Sequence, residues 1–202
     1  MINYKFTFIK IGKCGGSTIK QALEDNDINF DFFHVRVPKY NPAEKYLISI
    51  RNPVERFISA FYWRKYLVLD KDQKDRFVGE YDFFQKYATI EDLIRDDIAA
   101  LKRQYVHHID EDIHFYLGDL VNQLSSENVM GVVCTETLNE DIERIFNIKI
   151  HTHEKNNSKR KIPIKEEGRK ALKEYLYKDY LVIEKLNNLQ LLSKVHYKIL
   201  SE

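Results

Sequence analysis

Cysteine, proline and tryptophan are scarce in this chain: two, four and one among 202 residues, with only seven glycines. Cys14 and Cys134 allow at most one bridge, so no disulfide framework organises the fold. There is no low-complexity tract, internal repeat or domain linker, and the expectation is a single domain over 1–202 with a sizeable core. An excess of either charge is also missing. Lys and Arg number 32 against 31 Asp and Glu, a formal net charge of +1. No global field argues for a nucleic-acid or anionic-membrane partner, so any basic site must be local. No apolar stretch approaches membrane-spanning length, and no basic segment followed by an apolar one opens the chain. These absences point to a soluble, cytoplasmic protein without membrane insertion. What is plentiful is aromatic: thirteen Tyr and twelve Phe, enough for core mass and for stacking on sugar or adenine rings.

Residues 8–19 read Phe-Ile-Lys-Ile-Gly-Lys-Cys-Gly-Gly-Ser-Thr-Ile, an apolar run that ends in a lysine, glycines and hydroxyls. The pattern predicts a strand, an anion-cradling turn and the start of a helix, whose N-terminus adds partial positive charge. In a Walker A loop the lysine follows the last glycine. Here Lys13 precedes Gly15 and Gly16, and Ser17 and Thr18 follow them directly. A second motif lies at 46–62, where a β-rich run ends at Arg51 and Pro53 suits the first turn of a helix. Arg56 and Ser59 are three residues apart and share a helix face. A guanidinium fork with a hydroxyl near a helix start suits a phosphate dianion. The plainer reading of the same residues is a strand and an amphipathic helix with arginines in surface ion pairs.

The early lysine resembles the 5′-phosphosulfate loop of sulfotransferases, which use 3′-phosphoadenosine 5′-phosphosulfate (PAPS) and carry a pattern close to I-P-K-x-x-G-T-S. Arg51-Asn-Pro-Val-Glu-Arg56-Phe-Ile-Ser59-Ala-Phe resembles their R-x-P-x-x-R-x-x-S-x-Y element, with Phe61 where Tyr is usual. Glu136-Thr-Leu-Asn-Glu-Asp, Asn156-Asn157-Ser158 and Lys178-Asp179-Tyr180 resemble later elements of the family. The likeness is nearest to the carbohydrate type and loosest over 66–128. It implies PAPS as cofactor, PAP as product and no required metal. It implies binding of the 3′-phosphate by Arg51 and Ser59. Golgi members of the family carry a membrane anchor, which the sequence does not show.

Strands are expected over 5–11, 28–35, 45–50 and 129–134, with helices over 17–25, 53–67 and 138–146. Residues 80–127 read as helical, with Thr89 and Asp92 as a capping box, and two helices fill 163–199. Residues 151–162 read as a polar loop. The order implies an α/β fold: a P-loop-like three-layer domain with a central, mostly parallel sheet flanked by helices.

Sulfuryl transfer needs a base for the acceptor hydroxyl and a cation at the leaving phosphate oxygen. Lys13 is assigned the second role, with Lys10 as alternative, and the N–H groups from Cys14 to Thr18 are assigned to the 5′-phosphate. His34, at the predicted end of the second strand, is the candidate base, with Glu44 and Glu136 in reserve. Ser158, Lys159 and Arg160, with Lys161, are candidates for the cofactor phosphates. Arg36, Lys39, Arg64 and Lys65 are read as lining an acceptor cleft for an anionic glycan, and His107 and His108 as further acceptor residues. His107, Glu111 and His114 share a face if helical, yet match no closed metal-site spacing, so no metal is assigned. Two other readings stay open: a P-loop nucleotide or small-molecule kinase, which the early lysine disfavours, and a non-catalytic nucleotide-binding module.

Overall fold

The computed structural model describes residues 5–37, 39–150 and 163–202. Strand β1 (Phe6–Lys10) leads through a loop into α1 (Gly16–Glu24), and β2 (Phe30–Phe33) and β3 (Tyr46–Ile50) follow. Helix α2 spans Pro53–Leu69 and β4 Val129–Cys134. The four strands form one parallel sheet in the order β2-β1-β3-β4. In a parallel sheet every strand ends on the same edge, so Lys10, Phe33, Ile50 and Cys134 all deliver their following loops to one side. The coarse expectation of an α/β fold with a parallel sheet flanked by helices is therefore met.

Side-chain alternation divides β1 between two cores. Phe6 and Phe8 pack with Ile19 and Leu23 of α1 and with Leu138 and Ile142 of α6 (Leu138–Phe146). Ile9 turns to the opposite face, joining Tyr46, Ile48 and Val132. That face is covered by α5 (Ile113–Leu117), α8 (Tyr177–Asn188) and α9 (Lys194–Ser201). Each fully buried Leu, Ile or Phe contributes about 1.5–3 kcal/mol, so these interlocked faces fix the strand register. A third cluster, built on Phe57 and Phe61 of α2, gathers α3 (Glu80–Lys86), α4 (Ile90–Asp97) and α7 (Glu166–Tyr175).

Helix starts follow the sequence signals closely. Pro53 opens α2, and the Asn52 side chain accepts from the N–H groups of Val54 and Glu55 at 3.0 and 3.2 Å. Thr89 and Asp92 form the expected capping box of α4. Two expectations are corrected. Residues 163–199 hold three helices, not two, because the chain turns at Leu176 and again at Gln190, which has φ 58°. The stretch 80–127 is only partly helical. After α4 comes a 3-10 turn over 98–102, and then residues 103–112 leave helical geometry. The cause is Arg56, fully buried on α2, whose guanidinium donates to the carbonyls of His108, Ile109 and Glu111 at 2.9, 3.2 and 3.2 Å. A buried cation that collects three carbonyls competes directly with helical hydrogen bonds. Among the described residues, no helix is long and apolar enough to cross a membrane.

Candidate functional site

The loop between β1 and α1 is built around two left-handed residues, Lys13 (φ 69°) and Gly15 (φ 71°). A left-handed backbone costs a non-glycine residue of order 1–2 kcal/mol, so its presence at Lys13 is a local strain held by its surroundings. Gly15 is the N-cap of α1 and brings no side-chain acceptor to the helix's first turn. Such an uncapped start, preceded by alternating backbone, is a concavity of N–H dipoles. The loop residues are not equivalent. The Cys14 N–H turns inward to the Ile11 carbonyl at 3.3 Å, and its side chain is fully buried. Burial raises the Cys14 thiol to about 12, which keeps it protonated. The Thr18 N–H is taken by the Gly15 carbonyl at 3.0 Å. Both N–H groups are thus taken up within the loop, which corrects their expected role and narrows the expected phosphate donors to Gly15, Gly16 and Ser17. The Thr18 hydroxyl stays on an exposed side chain beside that of Ser17.

Lys13 extends across the loop to α2, where its Nζ lies 4.4 Å from the centroid of the Trp63 ring. Arg51, at the end of β3, lies at the other end of the same helix face, with Glu55 at 4.0 Å. Glu55, Ser59 and Trp63 recur every four residues and so stack along one side of α2. Half-buried Ser59 therefore sits between the two cationic groups. The Arg51 Nε is buried without a hydrogen-bond partner, although Glu136 Oε1 approaches it to 3.5 Å. That Glu136 carboxylate also accepts from the Cys134 thiol at 3.0 Å. Trp63 carries no motif of its own. Continuing the four-residue step from Ser59 is the signal that finds it.

Lys10, the alternative to Lys13, lies on the α1 face of the sheet with its stem across Gly16, where an added Cβ would fall 2.5 Å from Lys10 Cγ. Its Nζ lies 5.8 Å from the Phe32 ring centroid. Burial and then the charge of Lys20 lower its pKa.

A histidine cluster borders the loop from the opposite side. His34 Nδ1 lies 3.0 Å from the Lys10 carbonyl, and its ring centroid lies 5.5 Å from that of His108. The His108 ring rests on Gly12, where an added Cβ would fall 2.7 Å from Nδ1, so glycine is what admits this approach. His108 Nδ1 is buried without a hydrogen-bond partner. Burial, then the charges of His107, His34 and Lys13, lower His108 to about 3, so this imidazole stays neutral. His107 stacks on His108 at 4.0 Å and holds Glu111 at 3.2 Å.

The ligand atoms of His107, His108 and Glu111 lie within 4.8 Å of one another. His114, read from sequence as part of that group, instead lies in the first turn of α5, its N–H donating to Asp179 at 2.8 Å. Burial opposes ionisation of Glu111, yet donors from His107, Tyr105 and the His108 N–H bring it down to about 2. Its oxygens are thus taken up within the protein, and the cluster is a hydrogen-bonded support for the His108 ring.

Other assignments move. Arg64 does not line a cleft: it is fully buried, paired with Glu80 and bonded to Gln73 Oε1 at 3.1 Å. Lys65 donates to the Ala88 carbonyl. Glu44 accepts from Thr7 and Asn41 beside the start of β3, at the sheet edge away from the loop, and so leaves the list of bases. Arg36 and Lys39 are exposed. Ser158, Lys159, Arg160 and Lys161 lie outside the described residues. Comparison with protein-family models, with curated proteins and with solved structures finds no match to this chain.

Proposed function

We propose that the chain is a PAPS-dependent sulfotransferase that transfers the sulfuryl group to a carbohydrate hydroxyl, with a P-loop-like β1–α1 unit holding the 5′-phosphate. One observation carries the reading: Lys13 and Arg51 reach the two ends of the same α2 face. Eight residues separate Glu55 from Trp63, about 12 Å at 1.5 Å per residue. Cationic groups held against opposite ends of such a face suit phosphates on opposite ends of a nucleoside better than neighbouring phosphates of one triphosphate. Ser59 between them and the Arg51 Nε, which faces Glu136 at 3.5 Å but makes no hydrogen bond, add donors at the 3′ end.

In the proposed reaction the acceptor oxygen attacks sulfur in line, the bond to the bridging oxygen breaks, and PAP leaves. Lys13 neutralises the charge arising on that oxygen, and the N–H groups of Gly15, Gly16 and Ser17 hold the phosphate. His34 takes the acceptor's proton. Neutral His108, pressed against Gly12, shapes that side of the site without adding charge to compete with Lys13.

The test supplies radiolabelled PAPS and a panel of hydroxylated acceptors in the presence of EDTA. Label passing to a sugar, undiminished by EDTA, is expected. PAP binding with no transfer to any acceptor marks a binding module instead, and metal-dependent transfer of phosphate from ATP marks a kinase.

A further inference from the structure

A groove of about 610 Å³ runs along β2 on the sheet face away from α1. Thr7, Asp31, Phe33, His34, Arg36 and Glu44 line it, together with Phe30 and Phe32 of the same edge strand. Thr7 and Asp31 are register partners on neighbouring strands, and alternation puts Phe33 on the same face. The core cluster of that face takes residues from β1, β3 and β4 and none from β2. Among the described residues no core side chain covers the sheet beside β2, and the space left open ends at His34.

Its chemistry is mixed and close to neutral. Asp31 is paired with Lys5 at 2.7 Å. The Arg36 guanidinium lies 4.5 Å from the Phe33 ring centroid. Glu44 is held by the neutral donors Thr7 and Asn41. A polyanion entering here meets the carboxylates of Asp31 and Glu44 beside the cations of Lys5 and Arg36, with no net positive charge to hold it. A neutral sugar finds what it needs: carboxylate acceptors and guanidinium donors for its hydroxyls, and an aromatic ring for its C–H faces.

We propose that this groove binds the acceptor, and that it takes a neutral oligosaccharide lying along β2 with the reacting hydroxyl at His34. The proposal rests on the sulfotransferase reading and adds to it the acceptor's charge class and path. It replaces the anionic glycan expected from Arg36, Lys39, Arg64 and Lys65, since Arg64 and Lys65 are engaged with Glu80 and Ala88.

Calorimetry on the full chain, free and saturated with PAP, tests it with chitotetraose, cellotetraose and a heparin-derived tetrasaccharide. A neutral tetrasaccharide is expected to bind more tightly than the heparin fragment. Glu44→Gln and Arg36→Ala are each expected to weaken it about tenfold, the scale of one lost hydrogen bond to a charged group, with PAP affinity unchanged. Arg36 is exposed, so its variant reads out binding without a folding defect. Binding of the heparin fragment alone, no sugar binding, or sugar binding indifferent to both variants overturns the groove assignment while PAP binding leaves the nucleotide site standing. Failure of PAP to bind, with neutral sugar still held in a Glu44-dependent way, overturns the nucleotide reading instead.

Discussion

His34 Nδ1 lies 3.0 Å from the carbonyl oxygen of Lys10, joining the end of β2 to the end of β1. A carbonyl only accepts, so Nδ1 carries the proton and Nε2 keeps a lone pair, the tautomer a base requires. Burial lowers the His34 pKa, and the charges of Lys10 and His107 act in the same direction. Turnover needs the neutral ring, so it rises with pH through that pKa. The ascending limb is expected below the ordinary value of about 6.5. His34→Ala should slow turnover by about 10²–10⁴ and remove the limb, with PAP affinity unchanged. Steady-state kinetics across pH check this, and near-full activity with the limb intact places the base elsewhere.

Lys13→Ala should slow turnover by about 10²–10³, the cost of losing one charge-stabilising group at the leaving oxygen. The thermal midpoint should barely change, because Lys13 is only half-buried and contributes little to the core. Single-turnover rates beside a thermal melt separate the two effects.

Arg64 provides a control on the acceptor reading. Its buried pair with Glu80 predicts that Arg64→Met loses about 3–5 kcal/mol, since the carboxylate is left uncompensated. Chemical denaturation measures the loss. In the variant that still folds, KM for the acceptor should stay at the wild-type value, whereas a selective rise in KM would return Arg64 to the cleft.

Glu111 contributes to the acid limb of stability. Its carboxyl is held at about 2 in the folded chain against a reference of 4.5. A depressed acid pKa contributes stability that is present above the unfolded value and lost as pH falls toward the folded one. Glu111→Gln should therefore lie below wild type in Tm at about pH 6 and approach it by about pH 3. Parallel curves across that range contradict the assignment.

The strands and helix starts were legible because each carries a local signal: the apolar run of β1, Pro53 after Asn52, Thr89 before Asp92. The loop and the arginine motif were legible for the same reason, and parallel pairing of β1 with β3 brings them to one edge. What sequence spacing misreads is what long-range partners decide. Arg56 draws three carbonyls out of helical geometry, and so unites His107 with His108 and Glu111 rather than with His114. Arg64 reads as lining an acceptor cleft until Glu80, sixteen residues away, meets it in the core. Glu44 sits near His34 along the chain, but at the opposite end of the strands.

The central claim is a site for a nucleotide that carries phosphate at both ends. Calorimetric titration of the full chain with PAP and with AMP tests it most directly. PAP is expected to bind at least about tenfold more tightly, the value of a charge-assisted contact to the 3′-phosphate. Arg51→Ala should erase most of that difference while leaving AMP affinity near wild type. Equal affinity for PAP and AMP in the wild-type chain would contradict the account.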